Sequence, residues 1–161
     1  MNLISYSRIL IILAVLVGVL VVPSKAQYSP QDYVNAHNQA RAAVGVGPIQ
    51  WDDTIAAYAL SNVYRLRGSC RLVPSSGHYG ENMAKSNGVF SAALAVNIWV
   101  NERFSYNYAA NTCNAVCSHY TQVVWRNSVK VGCARVRCDN GGNIISCNYY
   151  PRGNYNGQKP Y

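Results

Sequence analysis

Acidic side chains are scarce in this chain of 161 residues: four aspartates and two glutamates stand against fourteen lysines and arginines, a formal charge of +8 at pH 7. Histidines number three, phenylalanines two and methionines two, and no long apolar run occurs after Val22. Each shortage excludes something. Without a second apolar run, no membrane-spanning helix is expected beyond the N-terminal segment. No G-x-S-x-G, H-E-x-x-H, P-loop or C-x-x-C pattern occurs, which removes the usual sequence signals of a hydrolase nucleophile, a zinc peptidase, a nucleotide site and a thiolate metal site. The absence of an N-x-S/T sequon after the leader removes N-glycosylation from consideration.

What is present begins with a leader. Arg8 precedes the fourteen-residue run "ILIILAVLVGVLVV", followed by Ser24-Lys25-Ala26. Charge, apolar stretch and small-x-small site in that order predict a signal peptide over residues 1–26. Fourteen residues fall short of the ~20 that span a bilayer. The remaining 27–161 is expected to be a secreted, extracellular, monomeric single domain of a size that buries a real core. Removing Arg8 and Lys25 leaves a charge of +6. The basic residues are scattered, which favours a solvated surface over a nucleic-acid footprint, and no nucleic-acid partner is expected. All six cysteines lie beyond the leader. In an oxidising compartment they predict three disulfides, with fifteen pairings open.

Ser29-Pro30-Gln31-Asp32 is a helix start, and that helix is expected to run to Gly45. A second is expected from Asp52 to Gly68, with Ile55, Ala59, Val63 and Leu66 on one face, and a third from Val89 to Arg103. Period-two alternation then predicts strands at "HYTQVVW", "VKVGCARVRC" and "IISCNYY", the last two joined by a tight turn at "DNGGN". Helices followed by antiparallel strands indicate an α+β domain. The segment 151–161, "PRGNYNGQKPY", reads as an extended tail.

Glu81 follows Gly80 in a stretch read as a loop, and Glu102 falls in the last turn of the third helix, against the helix dipole. A residue placed against its local preference points to a tertiary partner, and His119 is the candidate. One imidazole and two carboxylates suit either a divalent metal or a hydrogen-bonded polar cluster; the competing reading is that each is satisfied by backbone groups. His37 reads as a packing or surface residue of the first helix.

The segments "SHYTQVVWRNS" (118–128) and "IISCNYYPRGNY" (144–155) resemble the two signature stretches of the CAP superfamily, the cysteine-rich secretory, antigen 5 and plant pathogenesis-related class 1 proteins. "YVNAHNQAR", "YGEN", "AVNIWVNE", "YNYAANTCNAVC" and the closing "KPY" resemble its plant members in the same order. The resemblance implies a three-layer α-β-α sandwich with a small antiparallel sheet and three disulfides, Cys70–Cys138, Cys113–Cys117 and Cys133–Cys147. It also implies a cleft of two histidines and two glutamates that holds zinc in some relatives. Glu81, Glu102 and His119 match that set. The first histidine does not, because Pro74 stands in its place; His78, four residues on, is the candidate replacement. No cofactor is therefore expected to be required, and zinc binding is expected to be weak.

The function the resemblance implies is non-enzymatic plant defence by binding, with sterols or other lipids and pathogen surface components as partners. An apolar groove near "RFSYNYAAN" is the expected seat. An alternative is a peptide precursor cut between Tyr150 and Pro151, whose product 151–161 would act on a receptor. A metal-dependent hydrolase ranks below both.

Overall fold

The computed structural model describes residues 28–161; the expected leader lies outside the described residues. Helix α1 (Pro30–Ala42) starts with a capping box, in which the Ser29 hydroxyl takes the Asp32 N–H and the Asp32 carboxylate takes the Ser29 N–H. Strand β1 (Gln50–Trp51) leads into α2 (Asp53–Arg65), capped by Asp52, whose carboxylate accepts from the Ile55 N–H. Strand β2 (Gly80–Ser86) precedes α3 (Ala92–Asn101), which starts at the Ser91 cap and tightens into a 3-10 turn over Glu102–Ser105. A small hairpin of β3 (Tyr106–Asn107) and β4 (Thr112–Cys113) leads to α4 (Ser118–Val123), and the chain closes with β5 (Lys130–Arg137) and β6 (Asn143–Tyr150).

The main sheet has the order β1-β5-β6-β2, with β1 parallel to β5 and the other pairs antiparallel. Alternation along β5 and β6 sends Val131, Cys133, Ile145, Cys147 and Tyr149 to one face, where they join Trp99 of α3, Tyr33 of α1 and Val123 of α4 in one core cluster. Ala134 and Ile144 point the other way and pack with Ala59 and Val63 of α2 in a second cluster. Helices therefore cover both faces, which is the α-β-α sandwich. Among the described residues, no helix is long and apolar enough to cross a membrane.

Three disulfides cross-link the chain: Cys70–Cys138, Cys113–Cys117 and Cys133–Cys147. Cys133 and Cys147 face each other directly across the β5–β6 ladder. Cys70–Cys138 closes the longest span, a separation of 68 residues, worth about 4 kcal/mol in the chain-entropy description.

Two sequence expectations change. "HYTQVVW" is not a strand: Ser118–Val123 is helical, and Tyr120, Val123 and Val124, which bury together, are spaced i, i+3, i+4 as on one face of a helix. Packing on that face overrides the strand preference of the two valines. Glu81 is not in a loop: it lies in β2, and "GENMAKS" becomes a strand without β-branched residues because β6 offers it a full ladder of partners, from Gly80–Tyr149 to Ser86–Asn143. His119 accordingly sits in the first turn of a helix and not at a strand start.

The β5–α2 contact is close enough to demand glycine. A Cβ on Gly132 would run into the backbone of Ile55 and Ala56, where no side chain can swing away. Gly132→Ala is expected to cost about 2–3 kcal/mol in urea unfolding, with native-like circular dichroism. An unchanged midpoint would contradict the packing.

Candidate functional site

The three polar side chains singled out from sequence come to one end of the sheet. Glu102 caps the end of α3 and reaches the start of α4: one carboxylate oxygen lies 2.7 Å from His119 Nδ1, and the other accepts from the backbone N–H of His119 at 3.0 Å and of Tyr120 at 3.3 Å. The acid that opposes the dipole of its own helix thus faces the positive end of the next one. With a carboxylate oxygen as partner, Nδ1 is the donor, and in the neutral ring Nε2 carries the lone pair.

Glu81 extends from β2 on the α2 side of the sheet. One of its oxygens accepts from the Ser75 N–H at 2.7 Å, and the other lies 3.3 Å from the Ser146 hydroxyl and 3.4 Å from Asn148 Nδ2. Glu81 and His119 line a single surface cavity of about 330 Å³ together with Pro74, Tyr79, Met83 and Arg152. Glu102 joins it through the His119 ring.

His78 does not join. It is exposed, its ring lies 4.2 Å from that of Tyr79, and it is absent from the cavity wall. Tyr79 in turn packs edge-on against Tyr58 and Tyr150. That packing turns the preceding residue outward. Pro74, where the resemblance implies a first histidine, lines the cavity, and its side chain has no ligand atom.

The oxygens of Glu81 and Glu102 already accept from backbone and side-chain donors, and of the His119 ring only Nε2 makes no hydrogen bond to the protein. Among the described residues, no group of three or more His, Cys, Asp or Glu is placed to hold a metal ion. The residues present do not fit a tightly bound divalent cation.

Sequence reasoning missed the side chains that hold this corner together. His37 is fully buried and belongs to a chain of hydrogen bonds: Nδ1 to the Tyr33 carbonyl at 2.8 Å, Nε2 to the Tyr149 hydroxyl at 2.9 Å, and that hydroxyl to Asn82 Nδ2 at 3.1 Å. Asn82 Nδ2 also donates to the His119 carbonyl at 2.9 Å. Burial pushes the His37 ring down to about 4 and holds the Tyr149 hydroxyl well above the usual phenol range. Arg41 is buried beside it, donating to the carbonyls of Gly47, Val123 and Trp125 and so closing the C-terminal end of α4. Burial lowers its guanidinium to about 10. The i,i+4 spacing of His37 and Arg41 with Tyr33 on α1 was the available signal; their distant partners, Tyr149, Val123 and Trp125, were not readable.

The second candidate region, "RFSYNYAAN", forms the turn and hairpin after α3. Phe104 is 77% exposed and Tyr108 43%, and with Tyr106 and Thr112 they line a surface cavity of about 540 Å³. Tyr106 also packs at 6.1 Å from Tyr120. At the third region, Tyr150 ends β6, its carbonyl accepts from the Val129 N–H at 3.0 Å, and Asn148 and Tyr149 before it are fully buried. Pro151 begins a tail without helix or strand. A protease that takes its substrate as an extended strand has to open this end of the sheet before it reaches the Tyr150–Pro151 bond.

The sequence from residue 34 to 149 matches the pattern of the CAP, or cysteine-rich secretory protein, family. The chain belongs to that family. It is 69% identical over 161 residues to a pathogenesis-related protein 1 of Arabidopsis thaliana, covering all of both chains, and 58% identical over 140 residues to pathogenesis-related protein 1A of Nicotiana tabacum, covering 85% and 83%. This likeness makes it a plant defence-related CAP protein. Among solved structures, venom allergen-like protein 4 of Schistosoma mansoni superposes with a TM-score of 0.67 at 25% identity, covering 82% of this chain and 92% of that one. NaASP2, crystallised with Zn2+, also superposes at 0.67, with 23% identity over 82% and 84%, a likeness of fold.

Calorimetric titration with zinc is expected to show weak binding or none for the native protein, and a gain of at least about tenfold in affinity for Pro74→His, which adds a second imidazole to the cavity wall that His119 also lines. Tight native binding that disappears with His78→Ala would contradict the outward placement of His78.

Proposed function

We propose that this CAP protein is secreted and acts outside the cell by binding an apolar ligand, a sterol or related lipid, and not by catalysis. One observation carries the reading: Phe104 stands exposed at the edge of the 540 Å³ cavity that Tyr106 and Tyr108 help to line. Exposed aromatic rings around a concavity of this size suit a rigid, mostly apolar molecule bearing a single hydroxyl, which would donate to a tyrosine oxygen, since the Tyr106 and Tyr108 hydrogens already go to Asn111 and Tyr161. The other cleft supports the non-catalytic half of the proposal. Both its carboxylates accept from structural donors, so His119 Nε2 is the one free base among the three side chains, and no sequence pattern of a hydrolase nucleophile or zinc peptidase accompanies it. The three disulfides fit export to an oxidising compartment.

The test is a titration of fluorescent sterol with oxidised protein 27–161. Saturable binding is expected, weakened about tenfold or more by Phe104→Ser, which removes an exposed aromatic side chain whose burial under a ligand would be worth ~1.5–3 kcal/mol. A flat titration, or equal binding by both proteins, would remove the lipid reading.

A further inference from the structure

The tail 151–161 has no regular structure, yet its contacts are specific and spaced along its length. The Gly153 N–H donates to Gln122 Oε1 at 3.0 Å, Asn154 Nδ2 donates to the Ser118 carbonyl at 2.8 Å, and the Arg126 N–H donates to the Pro160 carbonyl at 2.7 Å. At the far end, the Tyr161 ring stacks on Tyr108 with centroids 4.8 Å apart and planes at 11°, and the Tyr108 hydroxyl donates to the Tyr161 backbone oxygen at 2.7 Å. Gly153 and Pro160 are buried. A Cβ on Gly153 would lie 2.6 Å from the Trp125 ring, so the third position of the tail accepts no side chain.

The walls of this groove are anchored without the tail. Helix α4 is held at one end by Glu102 and at the other by Arg41, and Asn82 binds its His119 carbonyl. The hairpin that presents Tyr108 is tied to the start of α4 by Cys113–Cys117. Neither core cluster draws a fully buried residue from the tail, and Tyr161 alone lies against one. All six cysteines precede the tail, so the Tyr150–Pro151 bond is its one covalent tie to the domain.

We propose that the groove formed by α4, Trp125–Arg126 and Tyr108 is a peptide-binding site, and that residues 151–161 are its ligand in their own right. An extended peptide with glycine at the third position and tyrosine eight residues later binds there whether or not it is joined to β6. Scission at Tyr150–Pro151 and departure of the peptide are then two separate steps, and the domain carries the cut peptide between them. This goes beyond the lipid reading and stands without it.

The test uses the oxidised full domain with a recognition sequence for a site-specific protease inserted between Tyr150 and Pro151. After cutting, native size-exclusion chromatography with mass detection is expected to find the peptide travelling with the domain, and Gly153→Ala or Tyr161→Ala to speed its loss about tenfold or more. Peptide eluting free on the first pass, or a domain that unfolds on cutting, overturns the proposal. A second measurement needs no insertion. In the full chain carrying Gly153→Trp the tail no longer fits its place, and a labelled synthetic peptide of sequence 151–161 is expected to bind saturably by fluorescence polarisation. Its alanine-for-glycine version should not bind, and the wild-type chain, whose own tail fills the groove, should bind far less. No saturable binding to the Gly153→Trp chain also overturns the proposal.

Discussion

A line of hydrogen bonds through the buried centre of the domain fixes where everything else can sit. It runs from the Tyr33 carbonyl through the His37 ring, the Tyr149 hydroxyl and the Asn82 amide to the His119 carbonyl, so it joins α1, β6, β2 and α4. The proton positions follow from the end partners. A carbonyl opposite Nδ1 makes Nδ1 the donor, which leaves Nε2 to accept from Tyr149; the Tyr149 oxygen then accepts one Asn82 hydrogen, and the other goes to His119. Each donor meets an acceptor in one direction only. A second proton on His37 would set Nε2 against a hydroxyl hydrogen and leave buried groups unpaired, each costing ~1–3 kcal/mol.

Because that line positions the first turn of α4, it also positions the cleft. His119 and the two N–H groups at the start of the helix are presented to Glu102 as a set. This explains an acid at the end of α3, and it also explains why the acid has little left to offer a metal. Glu81 is used similarly, bridging the Ser75 loop to Ser146 and Asn148 on β6. The tail groove gains from the same rigidity, since Ser118 and Gln122, which meet the tail, lie on α4, the helix held by Arg41, Glu102 and Asn82.

Helices α1 and α2 were legible because their ends carry strong local signals, Ser29-Pro30 and Asp52, and β5 and β6 because both alternate and are joined by Asn140-Gly141. The third helix was legible in its middle and misjudged at its start, where Ser91, and not a residue near Val89, makes the cap. Helix α4 and strand β2 were not legible because neither follows its own propensity; one is helical to bury three side chains together, the other is extended to complete a sheet. The meeting of Glu81, Glu102 and His119 was suggested by the misfit of Glu102 with its helix and by the family resemblance. The outward turn of His78 depends on how Tyr79 packs against two rings distant in sequence, and no local pattern encodes that.

The most direct test of the central line of hydrogen bonds is the protonation of His37, followed by nitrogen-15 NMR while tertiary structure is monitored by near-ultraviolet circular dichroism. In the folded protein the ring is held at about 4, below its ordinary 6.5. The unfolded chain therefore binds the proton first, so the contribution to stability is complete above about pH 6.5 and is lost as pH falls through about 4, a difference of roughly 3 kcal/mol. The account predicts a neutral ring, protonated at Nδ1, down to about pH 4, with tertiary structure loosening as it charges. A ring that titrates near 6.5 in a domain whose tertiary signal stays constant would contradict it.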